Sequence, residues 1–144
     1  MPTDRMLPDT VTIFNRYGED GNGNALYHTC VIQRVYARMK QGIAIGRGET
    51  GVTLNPADEL IVYVFDQKSS SAKPYMPFKE WDASNAKAGY WTVHDDGSDL
   101  AVIGTATPTA QGAPPDNAQT FKAAKIIRRQ AGKPRMWHWE VHCV

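Results

Sequence analysis

What this chain of 144 residues has little of narrows its reading first. It has two cysteines, Cys30 and Cys143, which form no CxxC pair, and a chain of this size needs no disulfide framework. Both read as small apolar side chains on or near the core. A Cys30–Cys143 bridge requires that their strands be neighbours. Charge of one sign is also missing: 16 Lys plus Arg stand against 15 Asp plus Glu, a net charge of +1. A general binder of nucleic acid or anionic membrane carries a basic excess, so only a local basic stripe stays open. No apolar window reaches the length that spans a bilayer, and Met1–Pro8 holds no apolar run of signal-peptide length. A cytoplasm-like compartment without membrane partners is the expectation. No serine sits in GxSxG, and no Cys/His pair has local nucleophile context. Nothing argues for an enzyme, and no cofactor is implied.

What is present is β-pattern. Hydrophobic residues make up 42% and charged residues 22%, the balance of an ordinary globular chain, and the length fits one domain spanning 1–144. Val11–Tyr17 is rich in β-formers and reads as the first strand. Gly18–Asn24 is a turn. Tyr27–Lys40 is a long β pattern, one bent strand or two, with a break near Gln33-Arg34. Leu60–Phe65 is the most hydrophobic strand and belongs at the centre. Tyr75–Trp81 reads as a segment laid across the barrel end by its aromatics, with room for a short helix over Pro77–Ala86. Tyr90–Val93, Leu100–Gly104 and Phe121–Arg129 read as further strands. In the closing stretch, Trp137, Trp139, Val141 and Cys143 fall on one face of a strand, and Met136, His138, Glu140 and His142 on the other. Turn signals recur with no helix of useful length between them. The fold class is therefore all-β, a small β-barrel or sandwich with long loops and little helix. Two stretches read as the long loops: Gln41–Gly51, with four glycines, as a mobile loop, and the Pro/Gly/Ala/Thr-rich Thr105–Gln119 as a surface arm.

Candidate chemistry is thin. Gly46-Arg47-Gly48-Glu49-Thr50-Gly51 matches GxGxxG formally, but Val52–Pro56 opens no helix and the βαβ context is missing. A loop whose glycines let it rearrange is the better reading. His138 and His142 stand about 13 Å apart along a strand and cannot share one metal, whose bonds to nitrogen are about 2 Å. His28, Cys30 or His94 would have to join from elsewhere, so no metal site is assigned. Asp95, Asp96 and Asp99 lack the spacing and terminal Glu of a calcium loop and read as a solvated turn. Lys125, Arg128, Arg129, Lys133 and Arg135 form a basic cluster which, with Arg38, Lys40 and Arg47, suits a positive rim facing DNA phosphates or acidic partners. A solvated charged hairpin is the plainer alternative. Tyr27, Tyr36, Tyr63, Trp91 and Trp137 are candidate stacking platforms if the barrel binds single-stranded nucleic acid.

Several segments in order resemble small tailed-phage proteins known as minor capsid or head–tail connector proteins. They are Leu7–Tyr17, Tyr27–Ile32, Phe78–Trp81, Trp91–Val93 with the acidic turn and Leu100–Gly104, and Gly132–Val141. The resemblance implies a β-barrel neck component of a siphophage-like virion, most directly the head-closure or stopper protein, with a tail-completion or tail-terminator ring as the alternative. It implies a ring of self-copies, roughly six or twelve, between portal or adaptor proteins and the tail terminator or tail tube. It further implies a loop projecting into the channel against packaged double-stranded DNA. Gln41, Gly42, Ile43, Ala44, Ile45, Gly46, Arg47, Gly48 and Glu49 occupy the place of that loop. Arg38, Lys40, Arg128, Arg129, Lys133 and Arg135 are the residues expected to face partners or DNA. The chain departs from the family's pattern after Leu60–Phe65, where an Ile-x-Ile-Pro ending is missing, and at the Pro-rich Thr105–Gln119.

Overall fold

The computed structural model describes residues 7–48, 51–110, 112–115 and 118–144, with backbone alone at 40–48 and 51–58. Seven strands run in the order β1 (Asp9–Glu19), β2 (Ala25–Gly48), β3 (Gly51–Phe65), β4 (Ser70–Ser71), β5 (Asp99–Ile103), β6 (Phe121–Arg129) and β7 (His138–Cys143). One short helix, α1 (Phe78–Ala83), and two 3-10 turns, Lys87–Gly89 and Pro134–Met136, complete the described elements. Six strands hydrogen-bond in the cyclic order β1-β5-β6-β7-β3-β2, and β2 returns to β1, so the sheet closes on itself. Every pair is antiparallel. Closure into a small barrel satisfies the backbone groups that an open sheet leaves at its edges.

The closure depends on β2 serving two neighbours in turn. Its first half pairs with β1, from Ala25↔Glu19 to Val35↔Asp9, and its second half pairs with β3 from Tyr36↔Tyr63 onward. Arg34 sits between the halves at φ 55°, a left-handed conformation that non-glycine residues adopt rarely. The β1–β2 register shifts at the same place. This is a bulge, and it resets the alternation: Cys30 and Ile32 are buried before it, Val35 after it. Ser69 secures the kink, donating from Oγ to the Arg34 carbonyl at 2.5 Å while accepting from the Phe65 amide at 2.9 Å. The break foreseen near Gln33-Arg34 is thus one strand, bent.

The barrel interior is filled by the inward faces the period-two patterns define. Val11 and Ile13 of β1, Leu60, Val62 and Val64 of β3, Ala101 of β5, Ala123 of β6, and Val141 and Cys143 of β7 are buried in one cluster. At about 25 cal/mol per Å² of apolar surface buried, each of the Val, Ile and Leu side chains contributes on the order of 1.5–3 kcal/mol and the alanines less. Cys30 and Cys143 are both buried and free, on strands that are not neighbours in the ring.

β1 is buried on both faces. Thr12 and Phe14, which point away from the barrel core, are fully covered. The 105–119 connection folds back over them: Phe14, Val102 and Ala106 form a second small core, flanked by Tyr27, Leu100 and Ala118. Thr12 Oγ1 donates to the Gly104 carbonyl at 2.7 Å and accepts from the Ala106 amide at 3.1 Å. The described part of that stretch is therefore a surface segment anchored over β1 through Ala106 and Ala118, with 105, 107–110 and 119 exposed.

Two further expectations change. Gln41–Gly51 was expected as a loop; its described backbone is strand. Residues 41–48 pair with 51–58 in unbroken register, from Gln41↔Asp58 to Gly48↔Gly51. Glycine count misled because ladder bonds use the backbone alone, and the sequence itself alternates small residues (Gly42, Ala44, Gly46, Gly48) with larger ones (Ile43, Ile45, Arg47). Tyr90–Val93 was expected as a strand; it makes only an isolated parallel bridge, Trp91↔Tyr75. Two backbone bonds at Trp91, from its amide to the Pro74 carbonyl and from the Met76 amide to its carbonyl, hold it together with the Asn15 amide described below. The helix of the 77–86 segment is real, as α1. Its Trp81 is fully buried, with Nε1 donating to the carbonyls of Lys87 at 3.1 Å and Tyr90 at 3.3 Å.

Candidate functional site

The feature that departs most from a plain barrel is the ribbon made by β2 and β3. β7 pairs with β3 only from Leu60 to Phe65, and β1 pairs with β2 only up to Val35. Beyond those limits, nine successive pairs from Lys40↔Glu59 to Gly48↔Gly51 join the two strands to each other. Among the described residues neither outer edge of this stretch pairs with a third strand. Nine pairs at about 3.3 Å per residue give an arm of about 26 Å. The nominal GxGxxG lies where β2 gives way to β3, with strand on both sides, so no helix N-terminus is there to receive a pyrophosphate. Of the expected channel residues, Gln41, Gly42, Ile43, Ala44, Ile45, Gly46, Arg47 and Gly48 are on the arm; Glu49 lies outside the described residues.

The basic residues do not form one rim. Arg128 and Arg129 are adjacent on β6 and so face opposite sides of the sheet. Arg128 forks onto both carboxylate oxygens of Asp66, one at 2.6 Å, and lies over the Trp139 ring, 4.7 Å from its centroid. The first of these contacts, the hydrogen bond to Asp66, raises its pKa. Arg129 Nε donates to Glu140 Oε2 at 3.1 Å. Both guanidinium groups are thus answered within the chain. Arg38, Lys133 and Arg135 are exposed; Arg38 is on β2, Lys133 immediately precedes the 3-10 turn before β7, and Arg135 lies within it. For Lys40 only the backbone is described.

The stacking platforms are also divided. Trp91 is buried in the core. Tyr27 packs edge-on against Phe14, 6.4 Å between centroids. Trp137 is partly covered and donates from Nε1 to the Gly132 carbonyl. Only Tyr36 and Tyr63 form a surface pair, 5.6 Å apart, continued by His138 at 5.6 Å and Phe65 at 5.0 Å from that ring. Glu140 lies directly across from Tyr63. A carboxylate in the row is the wrong charge beside a phosphate backbone.

Imidazole–carboxylate networks are what sequence reasoning missed. His94 is nearly buried, with Nδ1 2.8 Å from Asp99 Oδ2 and Nε2 2.7 Å from Asp82 Oδ1. Asp99 is fully buried and also accepts from the amides of Arg16 at 3.2 Å and His94 at 2.5 Å. The hydrogen bond to Asp99, opposed by desolvation and aided by Asp82, raises the His94 pKa to about 9. Asp99 had been grouped with Asp95 and Asp96 as a solvated turn; that holds for Asp95 and Asp96, which are exposed, and not for Asp99. On the outer face of β7, Glu140 accepts from both sides: His138 Nε2 and His142 Nε2 are each 3.2 Å from one of its oxygens. Burial raises the Glu140 carboxyl, and the bonds from His138, His142 and Arg129 outweigh it, leaving the group below its ordinary pKa. The signal was visible as His138-x-Glu140-x-His142 on one strand face, but spacing excluded only a shared metal and did not reveal that the glutamate sits between the rings. Among the described residues no cluster of three or more His, Cys, Asp or Glu is placed to hold a metal ion, and no helix is long and apolar enough to cross a membrane.

The fold thus defines a closed antiparallel β-barrel with a two-stranded arm. The chain belongs to the DUF6751 family, described as a family of unknown function, which it matches over residues 6–144. No curated protein and no solved structure matches it.

Proposed function

We propose that the chain is a non-enzymatic structural subunit of a tailed-phage neck, acting at head closure. The observation that carries this reading is the arm, nine pairs long, standing beyond a small closed barrel. It occupies the stretch that the resemblance to head–tail connector proteins gives to the channel loop. Ring formation among self-copies, six or twelve in number on the family's pattern, would bring the arms together at the axis. There they would retain packaged double-stranded DNA. Portal or adaptor proteins would lie on one side, and the tail terminator or tail tube on the other. The virion neck, assembled in the host cytoplasm, is the corresponding location. A ribbon suits a plug better than a flexible loop, because its ladder bonds hold its shape while leaving two edges for neighbours.

The test is electron microscopy of particles made without this chain, and of particles in which 41–58 is replaced by a short turn. Emptied heads beside finished free tails in both cases support head closure through the arm. Filled heads with overlong or unfinished tails transfer the protein to tail termination. Normal virions overturn the structural reading.

A further inference from the structure

Among the ladders that close the barrel, the one between β5 and β6 is the shortest. Three pairs join them, from Asp99↔Ala123 to Ala101↔Phe121. β6 starts at Phe121, whereas β5 runs on to Ile103 along β1. Beyond Ala101, one edge of β5 has therefore lost its neighbour. Ladder parity decides which groups that edge presents. Antiparallel pairs alternate between hydrogen-bonded and non-bonded, and the N–H and C=O of one residue leave the strand on the same side. The Gly104 amide donates to the Thr10 carbonyl at 2.6 Å, which makes Val11↔Ile103 a non-bonded pair. The Ile103 N–H and C=O thus point away from β1, to the side where β6 has not yet begun. Among the described residues neither has a hydrogen-bond partner. Ile103 is 43% exposed, so this edge is open to a chain arriving from outside.

A groove of about 510 Å³ lies against the same edge, within the size range of sites that hold a ligand. Val102, Ala106 and Phe121, all buried, line it beside the half-buried Ala118. Thr107 and Gln119 are exposed and line it too. None of the lining residues is ionisable. A charge brought into the groove would lose water and gain no counter-charge, which selects against a phosphate, a carboxylate or a metal ion. Its residues come from two sides, the end of β5 with 105–107 on one and the approach to β6 on the other. The arm of a second copy would bring two strands abreast, about 5 Å apart, and a groove flanked in this way takes one.

We infer that the groove receives a single extended, uncharged peptide segment of another protein, which pairs its backbone with Ile103 and seats an apolar side chain against Val102, Ala106 and Phe121. Main-chain bonds to a free sheet edge, with a pocket for alternate side chains, are the terms on which sheets recognise peptides. The inference rests on the groove alone and holds whether or not the chain is a neck protein.

The test is a nitrogen-15 titration of the full chain with a blocked pentapeptide of alternating threonine and valine. So small a seat implies a dissociation constant on the order of 1 mM. Amide shifts should saturate, should be confined to 102–107 and 118–122, and should include Ile103, whose amide should also exchange more slowly. The same peptide methylated on every backbone nitrogen should bind at least about tenfold more weakly, since its ladder bonds are lost. Thr107→Trp and Gln119→Trp, both at exposed positions, should each obstruct the groove and weaken binding about tenfold. The inference is overturned if the shifts fail to saturate by about 10 mM peptide, if the methylated peptide binds as well, or if neither tryptophan variant weakens binding. Shifts of these same amides on raising the protein concentration alone, with a dimer in sedimentation, would make the occupant a second copy and overturn the assignment to another protein.

Discussion

Asn15 and Thr92 hydrogen-bond each other twice: the Asn15 side-chain amide donates to the Thr92 carbonyl at 2.6 Å, and the Thr92 amide donates to Asn15 Oδ1 at 3.1 Å. Both residues are buried. The side chain thereby takes the part a neighbouring strand would play, and it explains why Tyr90–Val93 runs extended without a ladder. Asn15→Ala would leave a buried N–H and a buried C=O unpaired, at about 1–3 kcal/mol each. A loss of about 2–4 kcal/mol in unfolding free energy is expected in a urea titration, and a change under 1 kcal/mol would show that the pair is not needed.

His94 should make stability depend on pH. Its pKa in the fold is about 9, against about 6.5 in an unfolded chain. A raised pKa means that protons bind the folded state more tightly, so the contribution is complete below about pH 6.5 and lost as pH rises through 9. The shift corresponds to about 3 kcal/mol. Unfolding free energies from urea titrations across that window should fall by a comparable amount in the unsubstituted protein. His94→Gln should be less stable at pH 6 and show a flatter profile. An equal slope in both would place the pH dependence elsewhere.

Gly112 should tolerate no side chain. It has φ +78°, and a Cβ built there would stand 2.1 Å from the Tyr27 carbonyl oxygen. Because the obstacle is backbone, relief requires the cover over β1 to lift. Gly112→Ala should expose Phe14 and Val102, lower stability by more than about 2 kcal/mol, and open the 105–119 stretch to limited proteolysis. An unchanged cleavage pattern would contradict the close approach.

Cys143 should be unreactive in the folded protein. Burial, with a smaller effect of Glu59, pushes its thiol up to about 12, and only the thiolate attacks a labelling reagent. At pH 8, alkylation followed by mass spectrometry should find it labelled on the order of a thousandfold more slowly than in urea. Prompt native labelling would mean that β7 frays.

Most of the barrel could be read from the chain because it rests on local periodicity. The inward set of β7, the limits of β6 and the break at Gln33-Arg34 all follow from which residues alternate and where the alternation fails. The candidate sites were less legible. Arg128 and Arg129 looked like one positive patch in sequence, yet Asp66 and Glu140 claim them separately across 62 and 11 residues. The arm was hidden because a glycine count describes backbone freedom, whereas pairing depends on a partner strand that the count does not include.

The sequence by itself determined an all-β chain and the two faces of its closing strand, since both depend on neighbours a few residues away; that Cys30 and Cys143 are free follows only from the strand order. Only the tertiary structure decided that β2 bends at Arg34 to close the ring, that the 105–119 stretch covers the outer face of β1, and that His142 meets Glu59 across 83 residues. Those outcomes depend on strand register and ring closure. A one-residue slip turns every side chain to the opposite face, and no local pattern records which carboxylate will then stand beside which imidazole.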